Sequence, residues 1–588
     1  MKSETLSKCV DRFCMSPRFL IMPKPFIRLY GHRVALIAIL LIGLWLRVWG
    51  IRYGLPHIYF TDEAMTVNQT LAMGYTHSLR PEHYSYPTGL MYVLGALYSA
   101  YYVFSFLFGT VTSTHDFAIS VLRDPTPLYL IGRSVSVAAG VATIVLVYVI
   151  GKHLFDRRAG LVAAAIMAFT NFLVYMSHFI KAESLETFLV LCAFGWALKA
   201  SKGGKTLCDA LAGLVSGFAA AMKYNGAFVL FSLFIVSLRS GSPRSRRLKL
   251  FVIVGSFLLG FLILTPYVLL DAKQFLSDVK ALEYFKMLRV VPSAPFAGWW
   301  QISIQLLGFG FTLLYLCGIF YGLFHPDWKT FALLAFPAVH FTFFNLASPW
   351  RNLSWQIPIF PFLALLSGAF FSWLWYYLNR RRFRLILIIL VLAAMVESGF
   401  LAARKDFLLA QPDTRTLALN WIEQNIPAGS ILVMDHGQYL PYMAPPVRQS
   451  PSSIDRNYLN QAGTSGWVYR NRKVYFELLK RANREPMYEV YPILHDDFGG
   501  KSEFWNRPPP RLLDWYRSQG VAYAVLAGFE ERYHKPEIQA QFGDYVKPYL
   551  SFYDSVSKEG RLLAEFLPKG RLGYRIRVYC VAKSCMAQ

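Results

Sequence analysis

Charged side chains are scarce in this chain. Asp, Glu, Lys and Arg make up 16% of its 588 residues, and the acidic ones are the rarer, 35 against 60 basic. That argues against a soluble multidomain protein, whose overall composition is about a quarter charged residues. Cysteine is sparse too: the seven are scattered without metal-ligand spacing, and only Cys580 and Cys585 stand as a candidate pair. There is no internal repeat, which argues against a solenoid and against the paired halves of many transporters. No cleavable signal peptide is expected, since about 33 polar and basic residues precede the first apolar run, more than an n-region needs.

What the chain has in abundance is apolar surface. It is 55% hydrophobic and 16% aromatic, with a mean hydropathy of +0.35, the composition of a polytopic α-helical membrane protein. The net charge of +25 does not point to nucleic acid, because the basic residues lie in short clusters between apolar runs, as in cytoplasmic loops. Apolar runs occupy 34–49, 88–109, 128–150, 160–177, 184–198, 207–221, 225–238, 250–270, 302–324, 330–346, 355–378 and 385–403. The run 88–109 is loaded with tyrosine, at Tyr92, Tyr98, Tyr101 and Tyr102. If it crossed with the N-terminus inside, about fifteen Lys and Arg would face the wrong side. The sequence therefore predicts about eleven spans, with a range of about 11–13, and a juxtamembrane helix at 88–109. Residues 1–33 then lie in the cytoplasm, 34–404 form the membrane domain with a first outer loop at 51–127, and the C-terminus lies outside.

That topology gathers polar residues on the outer face. The stretch Leu55–Ala64 carries adjacent carboxylates, Asp62 and Glu63, where the chain has just left the membrane. Thr61 is placed to N-cap a helix starting at Asp62, in which an acidic first turn is also good dipole chemistry. The 178–183 turn adds His178, Lys181 and Glu183; the break at 222–225 adds Lys223 and Tyr224; the 348–354 turn adds Arg351. Singly, each has a structural explanation: an ion pair, a snorkelling lysine or a helix-end anchor. Together they place costly ionisable groups on one face, which points to use. Gly203-Gly204-Lys205-Thr206 is not a phosphate loop, because Lys199 stands where the motif needs its first glycine.

From residue 405 to 588 the spanning runs stop and α/β punctuation begins. A helix from Asp413 leads to a strand at 431–435, and a helix at 512–517 leads to a strand at 521–526. A final strand is expected at 574–582, and 440–510 reads as a surface insertion.

In this order, the residues carry a resemblance. Tyr59-Phe60-Thr61-Asp62-Glu63, Tyr84-Ser85-Tyr86-Pro87-Thr88, Leu130-Ile131-Gly132-Arg133-Ser134, Lys181-Ala182-Glu183, Ala221-Met222-Lys223-Tyr224-Asn225-Gly226 and Thr265-Pro266-Tyr267 resemble the GT-C superfamily. Within it they are most similar to the dolichyl-phosphate-mannose–protein mannosyltransferases and aminoarabinose transferases. Glu183 departs from the aspartate of many relatives, and Tyr86-Pro87 from their double proline. The resemblance implies an inverting glycosyltransferase of the plasma (inner) membrane with an extracytoplasmic C-terminal domain. It would move one sugar from a polyprenyl-phosphate donor to a lipid, glycan or protein acceptor. In that reading Asp62 is the base and Glu63 orients the acceptor. His178, Lys181, Glu183, Lys223, Tyr224 and Arg351 bind substrate, and a divalent cation on Asp62 and Glu183 is left open. A polytopic transporter or flippase is the competing class.

Overall fold

The computed structural model describes residues 24–203, 206–239, 242–287, 298–347, 353–436, 443–459, 472–495 and 509–583. Within them the apolar runs are helices: α1 (Lys24–Val48), α2 (Thr61–Tyr75), α3 (Gly89–Leu107), α4 (Thr114–Arg123), α5 (Thr126–Leu154), α6 (Arg157–Phe169), α7 (Asn171–Ser177), α8 (Ala182–Ser201), α9 (Thr206–Met222), α10 (Val229–Leu238) and α11 (Pro243–Leu264). Later bundle helices span Phe309–Phe324, Trp328–Ala347, Phe360–Tyr377 and Arg381–Ala410. Among the described residues seven helices, α3 included, are long and apolar enough to cross a membrane, and α6 with α7, a pair bent by 58°, counts as an eighth only when the pair is taken as one span. The remaining apolar runs read from the sequence are filled by shorter or proline-containing helices. The chain is a polytopic helical membrane protein with a C-terminal α/β domain.

The bend between α6 and α7 frees carbonyls that a straight helix would satisfy. Arg47 on α1, fully buried, takes them: its guanidinium donates to Ala168 O at 3.1 Å and Met167 O at 2.9 Å. Closeness elsewhere comes from small residues. A Cβ on Gly213 or Gly217 would lie within 2.3 Å or 2.2 Å of a backbone oxygen of α11, so α9 and α11 touch backbone to backbone. The run 302–324 is broken at Gly308, whose φ of +90° only glycine adopts readily, and Glu397 caps the amides of Phe309 and Gly310 beyond it.

Helix α3 packs along α2, where Gly95 faces Thr70 and Val67 joins Leu90, Leu94 and Tyr98, and it meets the ends of α9 and α11. Thr88 donates to Leu264 O at the end of α11, Gly89 abuts Ala221 and Met222 at the end of α9, and Leu94 packs near Gly132 in the first turns of α5.

The C-terminal domain holds a five-stranded sheet of order β2-β1-β3-β5-β4. The strands are β1 (Ile431–His436), β2 (Glu489–Leu494), β3 (Tyr523–Leu526), β4 (Arg561–Phe566) and β5 (Ile576–Cys580). β1 runs parallel to β2 and β3, and β5 pairs antiparallel with β3 and β4. The expected surface insertion at 440–510 is corrected here, because it supplies β2 and the helix Arg472–Ala482. Pro492 hides the strand in sequence, yet β2 is an edge strand, where a missing amide is tolerated. Cys580 is disulfide-bonded. Cys585 lies outside the described residues.

Candidate active site

The site is built where α1 ends and α5, α8 and α10 begin. α2 starts at Thr61 rather than Asp62, with Phe60 at the cap position and no side-chain cap. Phe60 is fixed instead by stacking on Phe179 at 4.2 Å, so ring packing sets the start of the helix.

The adjacent carboxylates then diverge. Glu63 turns inward, with no exposed surface, and is held by Arg133 through Nε–Oε1 at 2.9 Å and a second nitrogen–Oε2 contact at 2.8 Å. The amide of Ile180 also donates to Glu63 at 2.9 Å, and Arg133 binds the carbonyls of Ile51 and Tyr53. Both oxygens of Glu63 are thus engaged inside the fold, which corrects its expected role of orienting an acceptor. Asp62 stays at the surface, its side chain 43% exposed, with Oδ2 2.7 Å from Lys181 Nζ.

From Asp62 a line of alternating charges runs inward. Lys181 lies 3.8 Å from Glu183, and Lys223 lies 2.7 Å from the same Glu183 oxygen. Burial would lower the Lys181 pKa, but Glu183 and Asp62 overcome it and hold the ammonium above its ordinary range. Asp62, Thr66, Tyr86, Pro87, Lys181 and Glu183 line a small pocket at the surface end of this row. Tyr86, quoted above only for its motif, is a site residue that sequence reasoning did not single out. Burial, with Asp62 beside it, pushes its phenol up, so it is a neutral donor in the pocket.

Other expected site residues fall elsewhere. His178 is fully buried, with Nδ1 3.0 Å from Val174 O and Nε2 2.7 Å from Trp49 O, so it ties α7 to the end of α1 and is corrected to a structural role. Tyr224 points its hydroxyl at Tyr84 O, 3.1 Å away, and helps seat the loop before α3. Arg351 lies outside the described residues. Lys181 Nζ lies between the two candidate metal ligands, 2.7 Å from Asp62 and 3.8 Å from Glu183. Among the described residues no three His, Cys, Asp or Glu side chains group as metal ligands.

On the opposite face of α2 lies a cavity of about 1770 Å³ between the loop helices and the α/β domain, lined by Asn68, Tyr98, Arg123, Arg448 and Tyr475 among others. The ionisable row sits at helix ends and lines its own small pocket. Transporter sites are expected near the bilayer midplane instead.

The fold is the one seen in GT-C membrane proteins, the class the sequence resembles. A family model described as dolichyl-phosphate-mannose-protein mannosyltransferase matches residues 130–269. ArnT from Cupriavidus metallidurans in the apo state is 13% identical, with a TM-score of 0.51 over 94% of this chain and 98% of that one. The same protein bound to undecaprenyl phosphate is 14% identical, with a TM-score of 0.50 over 95% and 99%. The apo oligosaccharyltransferase of Archaeoglobus fulgidus is 13% identical, with a TM-score of 0.48 over 94% of this chain and 75% of that one. No curated protein matches the chain in sequence. The matching family and the structural neighbours are glycosyltransferases.

Proposed function

We propose that the chain transfers a single sugar, with inversion, from a polyprenyl-phosphate donor to an acceptor on the extracytoplasmic face of the inner membrane. The observation that carries this reading is Asp62, an exposed carboxylate backed by the Lys181 and Lys223 ammonium groups. ArnT from Cupriavidus metallidurans, which shares the fold, is a protein that binds undecaprenyl phosphate.

In this mechanism Asp62 takes the proton of an acceptor hydroxyl as its oxygen attacks the anomeric carbon. The bond from that carbon to the carrier phosphate breaks, and the electron pair leaves on the phosphate oxygen. Such a leaving group needs no proton; it needs positive charge where its own negative charge grows, which Lys181 and Lys223 supply. Arg351 is assigned as a third phosphate ligand, its guanidinium being suited to bidentate contact. Residues 1–33 lie in the cytoplasm, and 405–588 cover the site from outside. The test is the lipid content of the purified protein. A polyprenyl-phosphate sugar identified by mass supports the reading, and a retained nucleotide sugar contradicts it.

A further inference from the structure

The α/β domain reaches the loop that carries Asp62 through one buried cluster. Asp413 caps the helix Thr414–Asn425 and accepts from Tyr53 Oη at 2.8 Å. Arg415 forks onto the same carboxylate, with Nε–Oδ1 and Nη2–Oδ2 both at 2.7 Å, and also donates to Tyr53 Oη at 3.1 Å. Its guanidinium lies 3.8 Å from the centre of the Tyr59 ring, and the Tyr59 hydroxyl bonds Thr416 at 2.8 Å. Asp413 and Arg415 are 2% and 3% exposed, so this is a sealed contact between domains and not a rim pair.

The contact continues to the site through rings. Tyr53 meets Phe179 edge-on at 6.2 Å, Phe179 stacks on Phe60, and Lys181 lies 5.5 Å from the Phe60 ring. From the other side, Arg133 holds the carbonyls of Ile51 and Tyr53 together with Glu63. The segment 51–60 is therefore gripped from both the bundle and the α/β domain, and Asp62 begins two residues beyond it. A buried ion pair is a poor means of adding stability, since apolar residues of similar volume serve as well or better. Its geometry does fix orientation, and contacts between domains are otherwise mobile by default.

We infer that Arg415 is a positioning residue: the α/β domain sets the orientation of the Asp62 loop through Arg415, Tyr53 and Tyr59. The inference rests on the proposed role of Asp62, and the experiment separates the two. Hydrogen exchange is followed by mass spectrometry on the full chain in nanodiscs, for the parent, Arg415→Ala, Arg415→Lys and Tyr59→Phe. The reporters are the amides of Tyr53, Leu55 and His57, which bond the carbonyls of Gly50, Arg52 and Gly54. Arg415→Ala should speed exchange in 51–66 by about tenfold while β1 and β3 keep their protection. Arg415→Lys, which keeps the charge but loses the fork, should fall between parent and Arg415→Ala. Tyr59→Phe loses one hydrogen bond, should show the same change at about threefold, and serves where Arg415→Ala does not fold. Affinity for polyprenyl phosphate should change by less than about twofold, because Lys181 and Lys223 are untouched. Unchanged exchange in 51–66, or equal loosening of β1 and β3, overturns the inference. Polyprenyl-phosphate mannose is the turnover probe. Faster exchange with a lower kcat at unchanged KM supports both claims, whereas faster exchange with unchanged turnover supports the positioning role and counts against Asp62 as base.

Discussion

Asp62 and Glu63 are neighbours in the chain and opposites in environment: the first is 43% exposed and pairs with Lys181, the second is fully buried in a two-point pair with Arg133. Two successive residues at a helix start point about 100° apart, so one turn places one carboxylate in the pocket and locks the other in the frame. The division of labour follows from that geometry.

Removing the locked carboxylate should cost stability. Glu63→Gln leaves the buried Arg133 guanidinium without its counter-charge, at a cost of about 3–5 kcal/mol. Asp62→Asn, at an exposed pair, should cost less than about 1 kcal/mol. Thermal melting of the two purified variants checks this, and equal midpoints would contradict it.

Donor binding should depend on the cations. Lys181→Ala and Arg351→Ala should each weaken polyprenyl-phosphate binding by about tenfold or more, the loss of one charge-assisted contact. Acceptor affinity should change far less. Arg351→Ala binding as tightly as the parent would reduce that residue to a helix-end anchor.

Acid should loosen the loop before α3. Burial lowers the His83 pKa to about 4, although Asp278 opposes the shift. The folded state thus favours neutral His83, while the unfolded chain takes up a proton near pH 6.5. Stability from this group is full above about pH 6.5 and is lost as pH falls toward 4. His83→Gln should flatten the decline in melting temperature over that window, and an identical slope in parent and variant would show that His83 does not cause it.

Much of this was legible in sequence, for identifiable reasons. The bundle was readable because long apolar runs have one solution in a bilayer. Asp62, Lys181, Glu183 and Lys223 were found as a set because charges at membrane helix ends are conspicuous. The fates of Glu63 and His178 were not legible. Their partners, Arg133 for one and the Trp49 carbonyl for the other, are distant in sequence and are brought close only by packing. β2 was missed because an edge strand tolerates the proline that normally argues against one. Tyr86 carried no signal beyond its motif.

Topology is the expectation most independent of resemblance. Single cysteines replacing Lys202 and Arg246 should resist an impermeant thiol reagent on intact cells, and one replacing Gln519 in the α/β domain should react. Labelling at Lys202→Cys but not at Gln519→Cys would invert the orientation and call for a cytoplasmic donor.

The most direct measurement is single-turnover transfer by Asp62→Asn, with a polyprenyl-phosphate sugar prebound to the purified protein. A base contributes about 10²–10⁴ in rate, so transfer should fall at least a hundredfold while donor affinity and melting temperature stay near those of the parent. Transfer within about threefold of the parent's rate, with donor bound equally well, would remove Asp62 as the base and with it the mechanism built on its pairing with Lys181.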